Sequence, residues 1–364
     1  MFPNLFSEIT LGNTKLKNRI VSTGHHTYLA NKQPGEALIA YHEARARGGV
    51  GLIISEIVAV HLTAGFSSQL LSLLEDSGIE AYRQLADTCH IHDCKLFAQL
   101  FHPGREILST PNGMMPIAYA PSAVPNERFR IMPKRMSVEL IEEIVDGFAQ
   151  TASRLSQAGF DGVELVGSHG YLIAQFLSPL ANQRNDQYGG DFERRLCFVK
   201  DCVNAIRKKA PDMTMGLRLS SNDYEPDGLD ESAVTMICLA LEDSLDYFSL
   251  VVGSSATLGA SVHVSAPMGL PTAYAAPQAA IIKKNLNKPV IVTGRINQPQ
   301  EAEKIIASGQ ADLSGLTRAL ICDPEMPAKA HKGDIEDIRA CIACNQSCIG
   351  RAHKGLGISC IRYP

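Results

Sequence analysis

The sequence contains no tryptophan, no apolar run long enough to cross a membrane and no strong excess of charge. A membrane-spanning helix needs roughly 18 consecutive apolar residues, and no window approaches that length. Acidic and basic residues are interleaved and give a formal net charge of −4, so the sequence offers no basic surface for nucleic acid. The N-terminal residues lack the basic segment and apolar run of a secretory signal. We therefore expect a cytoplasmic protein that binds neither membranes nor nucleic acid.

The sequence also lacks a Gly-x-Gly-x-x-Gly motif after its first apolar run, which argues against a doubly wound dinucleotide-binding sheet, the alternative architecture. Short apolar runs recur instead, each followed by glycine or polar residues and then by an amphipathic segment. They cover residues 19–22, 51–55, 95–100, 162–165, 215–220, 247–252, 289–294 and 311–316. This alternation predicts an α/β fold, a (β/α)8 TIM barrel, over residues 1–335, with residues 336–364 as a C-terminal tail.

Two segments between the runs are irregular and long. Residues 103–136 are rich in proline and methionine, and residues 253–277 are rich in glycine, alanine, serine and proline. We predict that the first forms a lid or hairpin over the barrel mouth, because long loops on this fold are usually functional. After the first segment, Ser137 has the position of a helix N-cap and Gly159 that of a C-terminal stop.

Ten cysteines are present, and four of them are clustered near the C-terminal end. These are Cys341, Cys344, Cys348 and Cys360, with the spacing Cys-x2-Cys-x3-Cys-x11-Cys. Four clustered thiols bind an iron-sulfur cluster or a zinc ion, and a compact triplet with a distant fourth cysteine differs from the paired half-sites of structural zinc. The other six are predicted to be buried small apolar residues, namely Cys89, Cys94, Cys197, Cys202, Cys238 and Cys322.

Polar residues follow the predicted strands, where a barrel of this type assembles its active site. They are Thr23, Gly24, His25, His26, Ser55, Glu56, Gln99, His102, Arg105, His169, Tyr171, Arg218, His263, Arg295 and Arg318. The last two predicted strands end in Gly294-Arg295 and in the segment from Gly315 to Arg318, where such barrels commonly bind phosphate. With Gln99 and Arg218 facing the barrel axis, the ligand would be a phosphorylated heterocycle that accepts hydrogen bonds, and FMN meets that description.

Several blocks of this sequence resemble the old yellow enzyme family of FMN-dependent oxidoreductases, in the branch of 2,4-dienoyl-CoA reductase and trimethylamine dehydrogenase. The blocks are LKNRIV, QLFHPGR, the long stretch at 159–196, GLRLS, GRI, ADLSGLTRALICDP and the terminal cysteines. The resemblance implies FMN and a 4Fe-4S cluster as cofactors, with the cluster bound by the four terminal cysteines. It also implies NAD(P)H as the electron donor, either directly or through a separate FAD-containing reductase module, and favours a homo-oligomer.

The resemblance further assigns roles to residues of this chain. The cofactor-binding residues would be Gly24, His25 and Ser55 beside the flavin, Gln99 and Arg218 at its pyrimidine ring, and Arg295, Thr317 and Arg318 at its phosphate. Tyr171 matches the proton donor of dienoyl-CoA reductase, and His169 matches a histidine of trimethylamine dehydrogenase and could bind or polarise a substrate carbonyl. His26 and His263 are the expected substrate-binding residues.

Two functions follow from the resemblance, and the missing tryptophans favour one of them. Trimethylamine dehydrogenase holds its cationic substrate among aromatic rings that include tryptophans, and it has a tyrosine where this chain has Val166. We therefore expect reduction of an activated C=C bond conjugated to a carbonyl. Oxidative N-demethylation of a small amine or betaine is the alternative, and a subunit that only relays electrons is a third hypothesis.

Overall fold

The computed structural model describes residues 1–107 and 117–363, and parallel strands form its centre. Eight of them close into a barrel: β1 (Ile20–Ser22), β2 (Leu52–Ala59), β3 (Lys95–Phe101), β4 (Gly162–Gly167), β5 (Thr214–Ser220), β6 (Tyr247–Val251), β7 (Val290–Thr293) and β8 (Leu313–Leu316). Neighbours in chain order pair in parallel register, and β8 returns to pair with β1. The predicted TIM barrel is confirmed and the doubly wound alternative is wrong.

Helices between the strands form the outer layer, because each presents an apolar stripe to the sheet. They are α1 (Glu36–Arg47), α2 (Ile79–His90), α3 (Val138–Gln157), α4 (Phe192–Lys209), α5 (Glu231–Leu241), α6 (Ala276–Lys283), α7 (Pro299–Ala307) and α8 (Met326–Lys332). The start of α3 is the one predicted: the Ser137 hydroxyl accepts a hydrogen bond from the Leu140 N–H at 3.3 Å. Gly159 follows the helix with a φ of +86°, the left-handed conformation in which glycine commonly ends an α-helix.

An N-terminal hairpin closes one end of the barrel. Its strands, Ile9–Leu11 and Thr14–Leu16, pair antiparallel. Leu11 and Leu16 are fully buried and pack against apolar side chains of the barrel interior, which are Val21, Leu52, Ile54, Phe97, Tyr247, Ile291 and Leu313. The opposite end, where the strands finish, is left for the site.

The two long loops carry short elements of their own. Part of segment 103–136 lies outside the described residues; in the rest of it, Tyr119–Ala120 pairs with Lys134–Arg135. The loop after β6 contains the short helix Leu258–Val264. Further short elements are the strand Leu71–Ser72, which extends the sheet beside β2, and the helices Leu172–Leu177 and Arg318–Cys322.

The C-terminal tail packs against the strand ends. Asn345 accepts a hydrogen bond from Arg318 Nη1 at 2.6 Å and donates one to the Ser265 carbonyl at 2.7 Å. The Asn297 side chain donates to the Cys341 carbonyl at 2.7 Å. These contacts bring the cysteine segment to the same end of the barrel as the predicted site. Over the described ranges, none of the helices is both long and apolar enough to span a membrane.

Candidate active site

A cavity of about 250 Å³ opens at the C-terminal end of the barrel strands. It brings together residues that are far apart in the sequence, because the ends of parallel strands meet at one edge of the barrel. The predicted site residues that line it are Gly24, His25, His26, Gln99, His169, Tyr171, Arg218, His263, Arg295, Thr317 and Arg318. Ser55 is not among the lining residues; it is buried in the wall of the barrel on β2.

Glu164, a residue that the sequence did not single out, organises the floor of the cavity. It lies fully buried on β4, and its carboxylate accepts hydrogen bonds from Gln99 Nε2 at 2.6 Å and from the Tyr247 hydroxyl at 3.3 Å. Burial raises its pKa, and Arg218, with Nη1 3.9 Å away, acts in the opposite direction. The hydrogen bond to Glu164 thereby fixes the orientation of the Gln99 amide. Gly24 leaves the space that the Gln99 side chain occupies.

Two arginines that line the cavity, Arg218 and Arg295, carry buried nitrogen atoms. Arg218 Nη1 and Arg295 Nε are buried and have no hydrogen-bond partner within the described ranges. Arg295 has a φ of +53°, a backbone conformation that residues other than glycine seldom adopt. Residues in this conformation are often found at functional sites. Gly315 has no room for a Cβ beside Thr293 and Thr23. Arginines in a cavity that glycines also line fit the anionic phosphate and the pyrimidine edge of FMN.

His25 is held in one tautomer by two hydrogen bonds. Its Nδ1–H donates to the Thr23 carbonyl at 2.8 Å, so Nε2 accepts from the Tyr41 hydroxyl at 2.6 Å. Burial lowers the pKa of His25 to about 4, and the imidazole is neutral at physiological pH. Tyr41, on α1, is held in turn by the Arg45 guanidinium, which lies 3.3 Å from the centre of its ring.

His26 forms an aromatic wall with Tyr28. The two rings stack with centroids 3.8 Å apart, and His26 Nε2 donates to the Gln69 carbonyl at 3.2 Å. Burial lowers the pKa of His26 to about 4. Burial likewise raises the pKa of the nearby Glu56 to about 8, so both groups are uncharged near neutral pH.

Tyr171 presents a phenol that stays protonated. Its ring meets that of Phe101 edge-on, with centroids 4.7 Å apart. Burial raises the pKa of Tyr171 to about 12, and the Glu106 carboxyl acts in the same direction. A phenol in this state is a proton donor at neutral pH.

His169 lies beside Tyr171 in a strained backbone conformation, with a φ of +59°. Its N–H donates to the Ser220 hydroxyl at 3.0 Å, and its Nδ1 donates to the Gly253 carbonyl at 3.2 Å. A carbonyl can only accept, so the proton sits on Nδ1 and Nε2 is an acceptor. Burial lowers the pKa of His169 to about 3, and the Arg218 charge lowers it as well. In this tautomer His169 does not donate a hydrogen bond from Nε2 to a carbonyl.

His263 lies on the short helix of the β6 loop, where its ring stacks on Tyr224 with centroids 4.0 Å apart. The Tyr274 hydroxyl donates to the His263 carbonyl. His263 lines the cavity, and its role in substrate binding stays a prediction.

The four terminal cysteines line one small cavity next to the first, together with Arg318 and Asn345. Cys341 and Cys348 face both cavities. In residues 1–107 and 117–363, no three His, Cys, Asp or Glu side chains already stand in a metal-binding arrangement. Of the other six cysteines, Cys197 is half-buried on α4, which corrects the prediction that all six are buried.

Comparison with known proteins agrees with this fold. The model of the NADH:flavin oxidoreductase / NADH oxidase family matches residues 4–337. The chain is 40% identical over 372 residues to an NADH oxidase of Thermoanaerobacter brockii, covering 100% of this chain and 56% of that protein. It is 34% identical over 370 residues to an N,N-dimethylglycine/sarcosine dehydrogenase of Chromohalobacter salexigens, covering 99% of this chain and 53% of the relative.

Among solved structures, a 2-naphthoyl-CoA reductase in complex with 2-naphthoyl-CoA superimposes with a TM-score of 0.93 at 29% identity, covering 100% of this chain and 57% of that one. The chain thus spans about half the length of these relatives. The resemblance to the old yellow enzymes is confirmed, and the chain belongs to the NADH:flavin oxidoreductase / NADH oxidase family of FMN-dependent oxidoreductases.

Proposed function

We propose that this chain is the FMN-binding module of an oxidoreductase that reduces a C=C bond conjugated to a carbonyl, in a dienoyl-CoA or enone, with hydride from flavin N5 and a proton from Tyr171. The observation that carries the proposal is the Tyr171 phenol, which is protonated and lines the same cavity as Gln99, Arg218 and Arg295. The likeness to a 2-naphthoyl-CoA reductase supports a conjugated thioester as substrate.

Each side chain has a separable task in this reaction. FMN, when bound, supplies the hydride. Arg218 offers its unpartnered Nη1 to the negative charge of the reduced pyrimidine ring, and Arg295 and Arg318 hold the phosphate. Tyr171 keeps its proton until charge develops on the substrate carbon, and Phe101 fixes the direction of the phenol.

The test uses the FMN-loaded protein, reduced chemically without oxygen and mixed with 2,4-hexadienoyl-CoA or 2-cyclohexen-1-one. We expect the flavin absorbance to return as the C=C bond is reduced. Tyr171→Phe should slow this reoxidation by about 10²- to 10⁴-fold and leave FMN content unchanged, because only the proton donor is lost. Tyr224→Phe is the matched control, since Tyr224 lies outside the cavity lining. Equal rates for the Tyr171 variant and the wild type would remove Tyr171 as the donor.

A second candidate, oxidation of a small amine, is favoured by the tautomer of His169. An unprotonated Nε2 accepts a hydrogen bond, which suits an N–H-bearing substrate better than a carbonyl oxygen. The dimethylglycine/sarcosine dehydrogenase among the relatives supports it. Bleaching of oxidised FMN by sarcosine or dimethylglycine, with no reoxidation by either unsaturated probe, would favour this function. A flavin that responds to neither class would indicate an electron relay.

We also propose that the terminal cysteines bind a 4Fe-4S cluster that passes electrons between FMN and a reductase module using FAD and NAD(P)H. Support comes from the shared cavity of the four thiols and from Cys341 and Cys348, which face the proposed flavin cavity too. Iron and acid-labile sulfide should be present in the protein and be lost in Cys344→Ser. Zinc without sulfide would contradict the assignment. Direct hydride transfer from NADH to FMN would show as flavin bleaching in that variant.

A further inference from the structure

Gln175 is a buried amide side chain that joins two loops at the ends of the barrel strands. It lies on the short helix Leu172–Leu177 and is 1% exposed. Its Nε2 donates to the Pro103 carbonyl at 3.1 Å and to the Gly170 carbonyl at 2.7 Å. Its Oε1 accepts from the Arg105 N–H at 3.2 Å. Because Pro103 and Arg105 follow β3 and Gly170 follows β4, this one side chain crosslinks the two loops.

Gly104 makes the room for this side chain. Its φ is +62°, in the left-handed region that favours glycine. A Cβ at this position would overlap the amide group of Gln175. The turn after β3 is therefore shaped to receive the Gln175 amide, which forms hydrogen bonds with the residues on both sides of Gly104.

The crosslink lies on both sides of Tyr171 along the chain. Gly170, whose carbonyl the amide binds, immediately precedes Tyr171, and the backbone N–H of Gln175 donates to the Tyr171 carbonyl at 2.9 Å. The Tyr171 ring meets Phe101, the last residue of β3, edge-on with centroids 4.7 Å apart. The position of the phenol relative to β3 therefore depends on the loops that Gln175 joins.

Asn182 forms an equivalent set of hydrogen bonds elsewhere in the fold. It is buried, and its Nδ2 donates to the Phe176 and Tyr188 carbonyls, each at 2.7 Å. Its Oδ1 accepts from the Arg184 N–H at 3.2 Å. Neither Asn182 nor Gln175 is among the residues that line the cavity. The two amides thus make similar contacts, and they differ in that Gln175 binds the backbone next to the phenol.

We propose that Gln175 is the positioning residue of Tyr171. By joining the loops after β3 and β4, its amide holds the phenol at the distance and direction that proton transfer to the substrate needs. Gln175 itself gives up no proton: the Tyr171 O–H bond breaks, and a C–H bond forms on the substrate. A misplacement of about 1 Å can cost about 10²-fold in rate, so such a crosslink has a measurable effect. The inference rests on the proposed C=C reduction.

The test measures reoxidation of the reduced, FMN-loaded protein by 2-cyclohexen-1-one over a range of concentrations, which separates the limiting rate from the affinity for the enone. Gln175→Met keeps a side chain of similar length and removes the three hydrogen bonds. We expect the limiting rate to fall by about 10- to 100-fold. The dissociation constant of the enone and the FMN content should stay within about twofold of wild type, because Gln175 lies outside the cavity lining. Asn182→Leu is the matched control and should keep the wild-type limiting rate.

A double variant shows whether Gln175 acts through Tyr171. In Tyr171→Phe the proton donor is already lost, so adding Gln175→Met should change the rate by less than about twofold. If Gln175→Met slowed Tyr171→Phe by the same factor as it slows wild type, the amide would have only a structural role and the proposal would be wrong. A wild-type limiting rate in Gln175→Met, or equal slowing by Asn182→Leu, would also overturn it.

Gln175→Glu is the second variant if Gln175→Met does not fold. It keeps the length of the side chain and the acceptor for the Arg105 N–H, and at neutral pH it loses the donors to Pro103 and Gly170. A limiting rate equal to wild type in this variant would contradict the positioning role. A wild-type protein that the enone does not reoxidise would instead refute the C=C reduction itself. Equal rates for Tyr171→Phe and wild type would remove the donor that Gln175 positions.

Discussion

At the scale of single residues, burial keeps the histidines and the phenol of the cavity uncharged and leaves arginines as the fixed charges. His25, His26 and His169 all have a pKa well below its ordinary value because they are buried. Arg218 is thus a fixed positive charge among neutral imidazole groups. This arrangement suits a cofactor that gains negative charge when it is reduced.

Glu164 should change the effect of the Arg218 charge on the flavin, because its carboxylate lies near Arg218. Gln99 and Tyr247 both donate hydrogen bonds to the Glu164 side chain, as expected for a carboxylate. Glu164→Gln keeps the shape and removes a negative charge near Arg218, so we expect the flavin midpoint potential to rise. A rise of about 30 mV would equal about 1.4 kcal/mol for a two-electron couple. Anaerobic titration against redox dyes measures it.

Tyr247→Phe is the matched control for Glu164→Gln, because it removes a hydrogen bond to Glu164 and leaves the charge. Its effect on the potential should be smaller. If the potential of Glu164→Gln equalled that of wild type, either Glu164 would be protonated or the flavin would not lie beside Arg218.

The sequence indicated which polar residues follow the strands. It did not indicate which residues form hydrogen bonds with them. The sequence alone predicted Gln99, Arg218 and Arg295 as site residues, because polar groups after apolar runs are conspicuous. Glu164 and Tyr41 were missed. Glu164 lies within an apolar strand, and its importance comes from its hydrogen bond with Gln99, which is 65 positions away in the sequence. Tyr41 lies on an outer helix, and its importance comes from its hydrogen bond with His25, which is 16 positions away.

At the scale of elements, the alternation of strand and helix was the strongest signal in the chain. Each predicted run forms a barrel strand, because a short run of β-branched residues between turn residues favours a β-strand. The N-terminal hairpin that closes the barrel was not predicted, because its strands have only three residues each. The tautomer of His169 was also beyond reach, since it depends on a carbonyl from the loop after β6.

The N-cap of α3 allows an element-scale prediction. Ser137→Ala removes the acceptor for the Leu140 N–H and should lower the free energy of unfolding by about 1 kcal/mol. Urea unfolding followed by circular dichroism measures this change. Ser137→Asp keeps an acceptor at the same position and should stay close to wild type. Equal losses in both variants would show that the hydroxyl does not act as the cap.

At the scale of the whole molecule, the cysteine tail forms part of the wall of the barrel cavity. Ala343, Ile349, Ala352 and Ile358 line the main cavity together with Cys341 and Cys348. We therefore expect the occupancy of the two proposed cofactor sites to be coupled through this wall. Ordering of the tail by a cluster would thereby also order the wall against which FMN binds.

Asn345 is where this coupling can be tested in the full chain. It joins Arg318 to the tail through one hydrogen bond and the β6 loop through another, and its φ of +57° favours asparagine. Asn345→Ala should weaken FMN binding by about tenfold, which is about 1.4 kcal/mol, as measured by flavin fluorescence. Asn345→Asp keeps the acceptor for Arg318 and should lose less. If Asn345→Ala bound FMN as tightly as wild type, the tail would not support the FMN cavity.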